Sequence, residues 1–563
     1  MKMIVDMGIK IQTLLRKLFV ITLALSTTYT KYSLAQTTSQ GKFDKPPKLV
    51  VGIVIEEMRY EMLLRYWDSF GENGFKKIIN EGAFCTQAHH NYLITQNGPG
   101  QASIVTGAYP SAHGIVSDTW YNRLSGTVVG CADESRFNLM NGEISMGNYS
   151  PSNVMCSALG DEIKLASNER SKVISISLNP VSSVISGGRM ADYAFWFDHH
   201  SGGWMTGSYY TDTLPHWVKE FNAKGFQDIY IRKSWASMYS LGENYKNSLP
   251  DNSDFETGFK NYRNTFPYEL SYLRNRSGNY KYLKYTPFGN TFTKDFAVSA
   301  VVANDLGKDE YSDLLLISFS ATKYTGELFG PRSVEMEDLF LRLDQDLEHF
   351  MKFLDDEIGM ENVLVYITSD RGVADIPEYL QSKRQNAGVY EGSKAVALLN
   401  SYLGILYEEG EWISNYYYRQ LYINQSLLDK TGADISEIQQ RIADFMVQFN
   451  GVAQAFPAST ILSGNFEEGV AGKIRNSYHQ KRSGDVIVNL EPGWIEKNGD
   501  VTNSGSGYNY DTHVPIIWYG WNVKPQNIDY FIDVTDIAPT VSWILKISAP
   551  NAAVGKPIYK ITE

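Results

Sequence analysis

The sequence predicts an α/β fold in which a mainly parallel central sheet is sandwiched by helices. Two observations carry this. Five short runs are apolar without alternation: Leu49 to Ile55, Val173 to Leu178, Leu314 to Phe319, Val363 to Thr368 and Val514 to Tyr519. Strands covered on both faces read this way. Helical periodicity lies between and after these runs, and buried strands alternating with helices build a sheet with helices on both sides.

The elements follow in chain order. Lys10, Arg16 and Lys17 precede the apolar run Leu18 to Leu25, and Ser33-Leu34-Ala35 offers small residues before Gln36. This is the pattern of an export signal over residues 1–35, with an uncleaved anchor as the alternative. The run is shorter than the roughly 20 residues a membrane span needs, and no later stretch qualifies. The expected location is therefore periplasmic or secreted. Residues 36–47 are polar and end in Pro46-Pro47, so they read as a linker. Residues 48–563 read as one domain with insertions at about 200–300, rich in Tyr, Trp, Asn, Gly and Ser, and at about 380–485. Met336, Leu339, Phe340, Leu343, Leu347, Phe350, Met351 and Leu354 recur at three and four, predicting a helix that Gly359 ends. Asp434 and Glu437 form a capping-box pattern ahead of Ile438, Ile442, Phe445, Met446 and Phe449.

A chain of 563 residues suffices for one large decorated domain or two or three smaller ones. The net charge of -12 argues against a nucleic-acid or anionic-membrane surface, both of which want a basic face. The 37 tyrosines suit an exported or carbohydrate-facing protein, although ordinary packing accounts for them as well. Three cysteines, Cys85, Cys131 and Cys156, allow one bridge and one thiol, or three buried thiols. Cys131 and Cys156 would be the pair on proximity. No Cys-x-x-Cys occurs, which excludes the usual thiolate zinc site.

The segment Asn97-Gly98-Pro99-Gly100-Gln101-Ala102-Ser103-Ile104-Val105-Thr106-Gly107, followed by Tyr109-Pro110 and His113-Gly114-Ile115, resembles the nucleophile segment of the alkaline phosphatase superfamily. It is most similar to the phosphate-irrepressible alkaline phosphatases and the nucleotide pyrophosphatase/phosphodiesterases. Val534 to Thr540 and Gly555-Lys556-Pro557-Ile558 are similar to the family's C-terminal segments, so the resemblance spans roughly 48–558. It implies an alkaline-phosphatase-like fold with cap-like insertions, two zinc ions and phosphate-ester hydrolysis. In the family one zinc is held by an Asp, a His four residues later and a late His. The other is held by an Asp after the first strand, an Asp-His pair and the nucleophile oxygen.

Carried over residue by residue, the resemblance meets a changed site. The nucleophile position is Asn97, and the first-strand Asp is Glu56. The Asp-x-x-x-His pair is Lys323 and Glu327, and the Asp-His pair is Asp370 and Arg371. The late His is assigned to His513. The substrate-contacting Asn is Asp118, and the Lys-x-Arg after the 173–178 run reads Asn179-Pro180-Val181. An amide is no nucleophile, and neither an ammonium nor a guanidinium offers a lone pair to zinc. Asp118 would repel a phosphate. Thr95, two residues from the nucleophile position, would have to leave the helix start that stabilises an alkoxide.

These residues predict that Asn97 caps a helix with Pro99 in its first turn. They also predict that Glu56, Glu327 and Asp370 pair with Lys323 and Arg371. The expectation is a catalytically inactive pseudophosphatase without metal cofactors, with a binding or structural role. Its partner would be an anionic small molecule, a sugar-linked molecule or an envelope protein. The alternative is an active metal-dependent phosphomonoester or phosphodiester hydrolase.

Overall fold

Leu49–Ile55, with all seven residues buried, forms the middle of the central sheet. It pairs in parallel with Asp313–Phe319 on one side and Val363–Thr368 on the other. Val173–Ser177 and Tyr193–Phe197 extend the parallel block. Beyond Val363–Thr368 the direction reverses: His513–Gly520 is antiparallel, with Ile517 opposite Ile367, and Ala83–His89 is antiparallel to it in turn. The fold is thus α/β with a mostly parallel sheet. Because His513–Gly520 is reversed, its first residue lies at the edge where the neighbouring strands end. At Gly52 a Cβ would stand 2.3 Å from the Tyr366 hydroxyl, so only glycine lets the two strands pack there.

This is a computed structural model, and it describes residues 45–563 apart from 141–147, 243, 261, 497 and 498. The signal read in 1–35 and most of the 36–47 linker lie outside the described residues. Pro47–Glu563 forms one compact unit. Among the described residues no helix is long and apolar enough to cross a membrane.

Val334–Ile358 is the predicted long helix, capped by the Ser333 hydroxyl accepting from Met336 N at 3.1 Å and ended by Gly359 at φ 87. It packs beside Pro287–Ala303, whose Phe296 stacks on Trp204 at 4.4 Å. The stretch of about 200–300 therefore supplies Trp204–Gly207 to the sheet and a helix to its cover. The later stretch carries a second, antiparallel sheet of four strands: Ile413–Tyr417, Gln420–Ile423, Val486–Leu490 and Val452–Pro457. Its own core holds Trp412, Leu421, Ile438 and Ile442. The helix Ile435–Met446 starts as expected, with the Asp434 carboxylate accepting from Glu437 N at 2.9 Å. The reciprocal half of the box is not made, because the Glu437 carboxylate accepts from Arg441 and Tyr407 instead. All three cysteines are buried free thiols, so the Cys131–Cys156 bridge is not formed.

Candidate functional site

The turn after Leu49–Ile55 delivers two buried carboxylates, Glu56 and Glu57, the second at φ 61. The Glu56 carboxylate accepts from the Ser182 hydroxyl at 2.5 Å and the Ser320 hydroxyl at 2.7 Å, both on the same oxygen. Its other oxygen is buried without a partner. Glu56 is thus held by hydroxyls rather than by the cations that the sequence suggested.

Asp370, at the end of Val363–Thr368, is fully buried. One oxygen accepts from Glu57 N at 3.1 Å; the other accepts from the Asn97 amide at 2.8 Å and from Arg371 Nη1. Arg371 also donates from Nη2 to Glu57 at 2.7 Å and from Nε to the Ser504 hydroxyl at 2.7 Å. Burial raises the Asp370 carboxyl to about 6 against the pull of Arg371, with Glu56 pushing further up. Glu57 rises to about 8, again through burial and despite Arg371. Glu57 was not anticipated from the sequence, yet it is the second anchor of Arg371.

The helix Asn97–Thr106 points its start at this cluster. Asn97 is its first helical residue and not its cap, which corrects the expectation: the cap position belongs to Gln96. The Asn97 side chain turns into the site, donating to Asp370 at 2.8 Å and to the Ser182 hydroxyl at 3.0 Å and accepting from Asn179 at 3.2 Å. The free helix N–H of Gly98 is met by Asp118 at 2.7 Å, and Asp118 N donates to Gln96 Oε1 at 2.8 Å. A carboxylate at a helix start is favourable. Asp118 therefore serves the fold where an Asn would serve a substrate. Gly100 allows the close approach, since a Cβ there would lie 2.1 Å from the Asp370 carbonyl oxygen. Thr95 is committed elsewhere, its hydroxyl donating to Ser506 O at 2.8 Å.

Lys323 and Glu327 lie one turn apart on Ala321–Phe329, 3.7 Å apart and each about one-fifth exposed. Lys323 sits over the Tyr324 ring, 5.1 Å from its centroid. The expected joint network of two cations and three carboxylates is therefore divided. Arg371 serves Asp370 and Glu57, and Lys323 serves Glu327.

His513 is not brought to this cluster. Its ring stacks between Tyr60 and His89, each at 4.4 Å, and its Nε2 lies 2.9 Å from the Thr86 carbonyl oxygen. The late-chain residue that does face Arg371 is Ser504. A cleft of about 150 Å³ opens beside the cluster, bordered by Glu57, Asp118, Lys323, Glu327, Arg371 and Ser504 on one side. The tip of the second sheet's hairpin, Tyr418–Arg419, closes the other. Among the described residues no three His, Cys, Asp or Glu side chains are grouped as a metal would need.

Glu57 gives a pH test. Its folded value is raised, so it stabilises the fold fully below the ordinary carboxyl value near 4.5 and loses that contribution as pH rises through about 8. Wild type is expected to lose more stability than Glu57→Gln between pH 5 and pH 8, read by thermal melting. Parallel curves for the two proteins would mean that Glu57 is charged throughout.

Known proteins resemble this chain along most of its length. The family described as type I phosphodiesterase / nucleotide pyrophosphatase matches residues 50–513. Alkaline phosphatase PhoV of Synechococcus elongatus is 33% identical over 520 residues, covering 92% of this chain and 93% of that one. Alkaline phosphatase PafA of Elizabethkingia meningoseptica is 33% identical over 519 residues, covering 92% and 94%. A Myroides odoratus protein named calcium-transporting ATPase is 34% identical over 537 residues, covering 94% and 97%. The crystal structure of wild-type PafA superposes with a TM-score of 0.89 at 32% identity, over 93% of this chain and 100% of that one.

Proposed function

Since this chain belongs to the type I phosphodiesterase / nucleotide pyrophosphatase family of the alkaline phosphatase superfamily, we propose that it is a non-hydrolytic member with a binding or structural role. Export by residues 1–35 would place it in the periplasm or outside the cell. Residues 36–47 would act as a tether to a single working domain with cap-like insertions.

One observation supports this reading: the Arg371 guanidinium is the cation that Asp370, Glu57 and Ser504 share. The two zinc ions that the family implies do not fit these residues. Zinc takes lone pairs from His, Cys or carboxylate, and a second cation beside Arg371 is repelled. Asp370 is the one unaltered ligand, and both its oxygens are occupied by donors. With His513 turned away, the late ligand position falls to Ser504. Asn97 cannot attack phosphorus, so neither the nucleophile nor the two-metal clamp of in-line phosphoryl transfer is present.

The second reading, an active metal-dependent phosphatase, draws on the alkaline phosphatases at one-third identity. Zinc quantification on purified protein, with hydrolysis of a phosphomonoester and a phosphodiester, separates the two. The expected result is no stoichiometric zinc pair and turnover many orders of magnitude below active relatives. Binding and positioning alone leave at most ~10³–10⁴ of acceleration over water. Robust metal-dependent turnover, abolished by Asp370→Ala, would establish the second reading.

A further inference from the structure

The cleft above Arg371 holds about 150 Å³, room for about five water molecules at roughly 30 Å³ each. Its walls mix opposite chemistries at short range. Asp118, Glu496 and Asp500 present acceptors, with Glu57 and Glu327 already paired to Arg371 and Lys323, while Gln96, Lys323, Arg371 and Arg419 present donors. A phosphate or carboxylate entering here would face five acids, Glu57, Asp118, Glu327, Glu496 and Asp500. An ammonium would face Lys323, Arg371 and Arg419. A neutral hydroxyl group avoids both penalties, because it donates to a carboxylate and accepts from a cation or amide. Several hydroxyls on adjacent carbons would replace the cleft's waters bond for bond.

The roof adds an aromatic element. Tyr417 and Gln420 are paired, so the hairpin turns in two residues, Tyr418 and Arg419, at φ 45 and φ 62. Such turns favour Asn-Gly, because both positions are left-handed. A bulky Tyr-Arg pair keeps this strained backbone at the mouth of a cleft, and strain of this kind collects at binding sites. Arg419 is anchored by donating to the Gly505 carbonyl, which fixes the tip over the opening. Burial, with Asp118 close by, pushes the Tyr418 hydroxyl up to about 12, so it remains a neutral donor at physiological pH.

Resting on the non-hydrolytic reading, we propose that this cleft binds a small neutral polyol or the exposed edge of one sugar ring, with Tyr418 as its apolar platform. The aliphatic face of such a ligand lies against the aromatic ring, and its hydroxyls bridge the donor and acceptor walls.

The test titrates the full-length protein by calorimetry with glycerol, methyl α-glucoside, methyl β-galactoside, inorganic phosphate and ethylamine. Saturable binding of a polyol or a glycoside, with none by phosphate or ethylamine, is expected. Glycerol binding alone identifies a free polyol as the ligand; glycoside binding identifies a sugar-ring end. Tyr418→Asn should weaken that binding at least about tenfold, a loss of about 1.4 kcal/mol, yet raise the melting temperature, since Asn tolerates the left-handed turn. Asp500→Ala, on the opposite wall, should weaken binding without touching the hairpin. Binding of phosphate or ethylamine in preference, no saturable binding of any polyol, or affinity unchanged in both variants would overturn the proposal. Ester hydrolysis is read separately, so its appearance would overturn the functional reading and leave the binding result standing.

Discussion

Arg371→Ala is expected to destabilise the protein by about 3–5 kcal/mol at neutral pH, the usual cost of removing one member of a buried ion pair. The guanidinium is the shared donor of Asp370, Glu57 and Ser504, and its side chain is only 3% exposed. Without it, the Asp370 carboxylate is left buried beside Glu56 with no cation, while Glu57 stays protonated. Lys323→Ala is the comparison. Its pair with Glu327 is longer, at 3.7 Å, and more exposed than that of Arg371, so the loss should be clearly smaller. Denaturant melts of the three proteins decide the matter. The gap between wild type and Arg371→Ala should narrow as pH falls below about 6, where Asp370 takes up a proton and needs no counter-ion. An Arg371→Ala protein as stable as wild type at pH 7 would mean that the cluster does not depend on the guanidinium.

The second large effect concerns Asn97→Thr. Restoring the family's nucleophile type is expected to restore no hydrolysis, with or without added zinc, because the ligand set is still missing. It should instead cost stability. The Asn97 amide donates to Asp370 and Ser182 and accepts from Asn179. A threonine hydroxyl has one hydrogen to give, so it cannot supply both donations. Losing a bond to a charged acceptor costs about 1.5–3 kcal/mol. Ester turnover appearing in this single variant would show that metal is held after all.

Four strands of the parallel block, Leu49–Ile55, Val173–Ser177, Asp313–Phe319 and Val363–Thr368, and the reversed strand beside them were legible because continuous burial leaves an unbroken apolar run. Ala83–His89 was not, since Thr86, Gln87 and His89 interrupt its apolar residues. Tyr193–Phe197 and Trp204–Gly207 carry aromatic side chains in runs too short to stand out from the Trp- and Tyr-rich stretch around them. The long helix was read to within a few residues because its period and its terminating glycine agree.

In the site, the resemblance placed Glu56, Asn97, Asp118, Lys323, Glu327, Asp370 and Arg371 around one end of the sheet, but their partners were not legible. Asn97 looked like a cap because its residue type prefers that position, whereas Asp118 reaches the helix start from twenty residues away. His513 was assigned because Asp511-Thr512-His513, just ahead of a buried strand, resembles a metal-binding segment of the family. At the start of a reversed strand its ring packs against Tyr60 and His89. Ser504, in a run of small polar residues and glycines, gave no signal, and Glu57 was overshadowed by the identical residue before it.

The hydrogen bonds around Asp370 also bear on how the chain folds. Its contacts to Glu57 and Asn97 join positions 313 and 273 residues apart. Closing such distances costs loop entropy before any local reward is gained. The pocket therefore exists only when the sheet holds three remote segments in register. A ligand binding there would report on completed molecules only, and fragments ending before residue 370 would keep the sheet's first strand yet have no pocket at all.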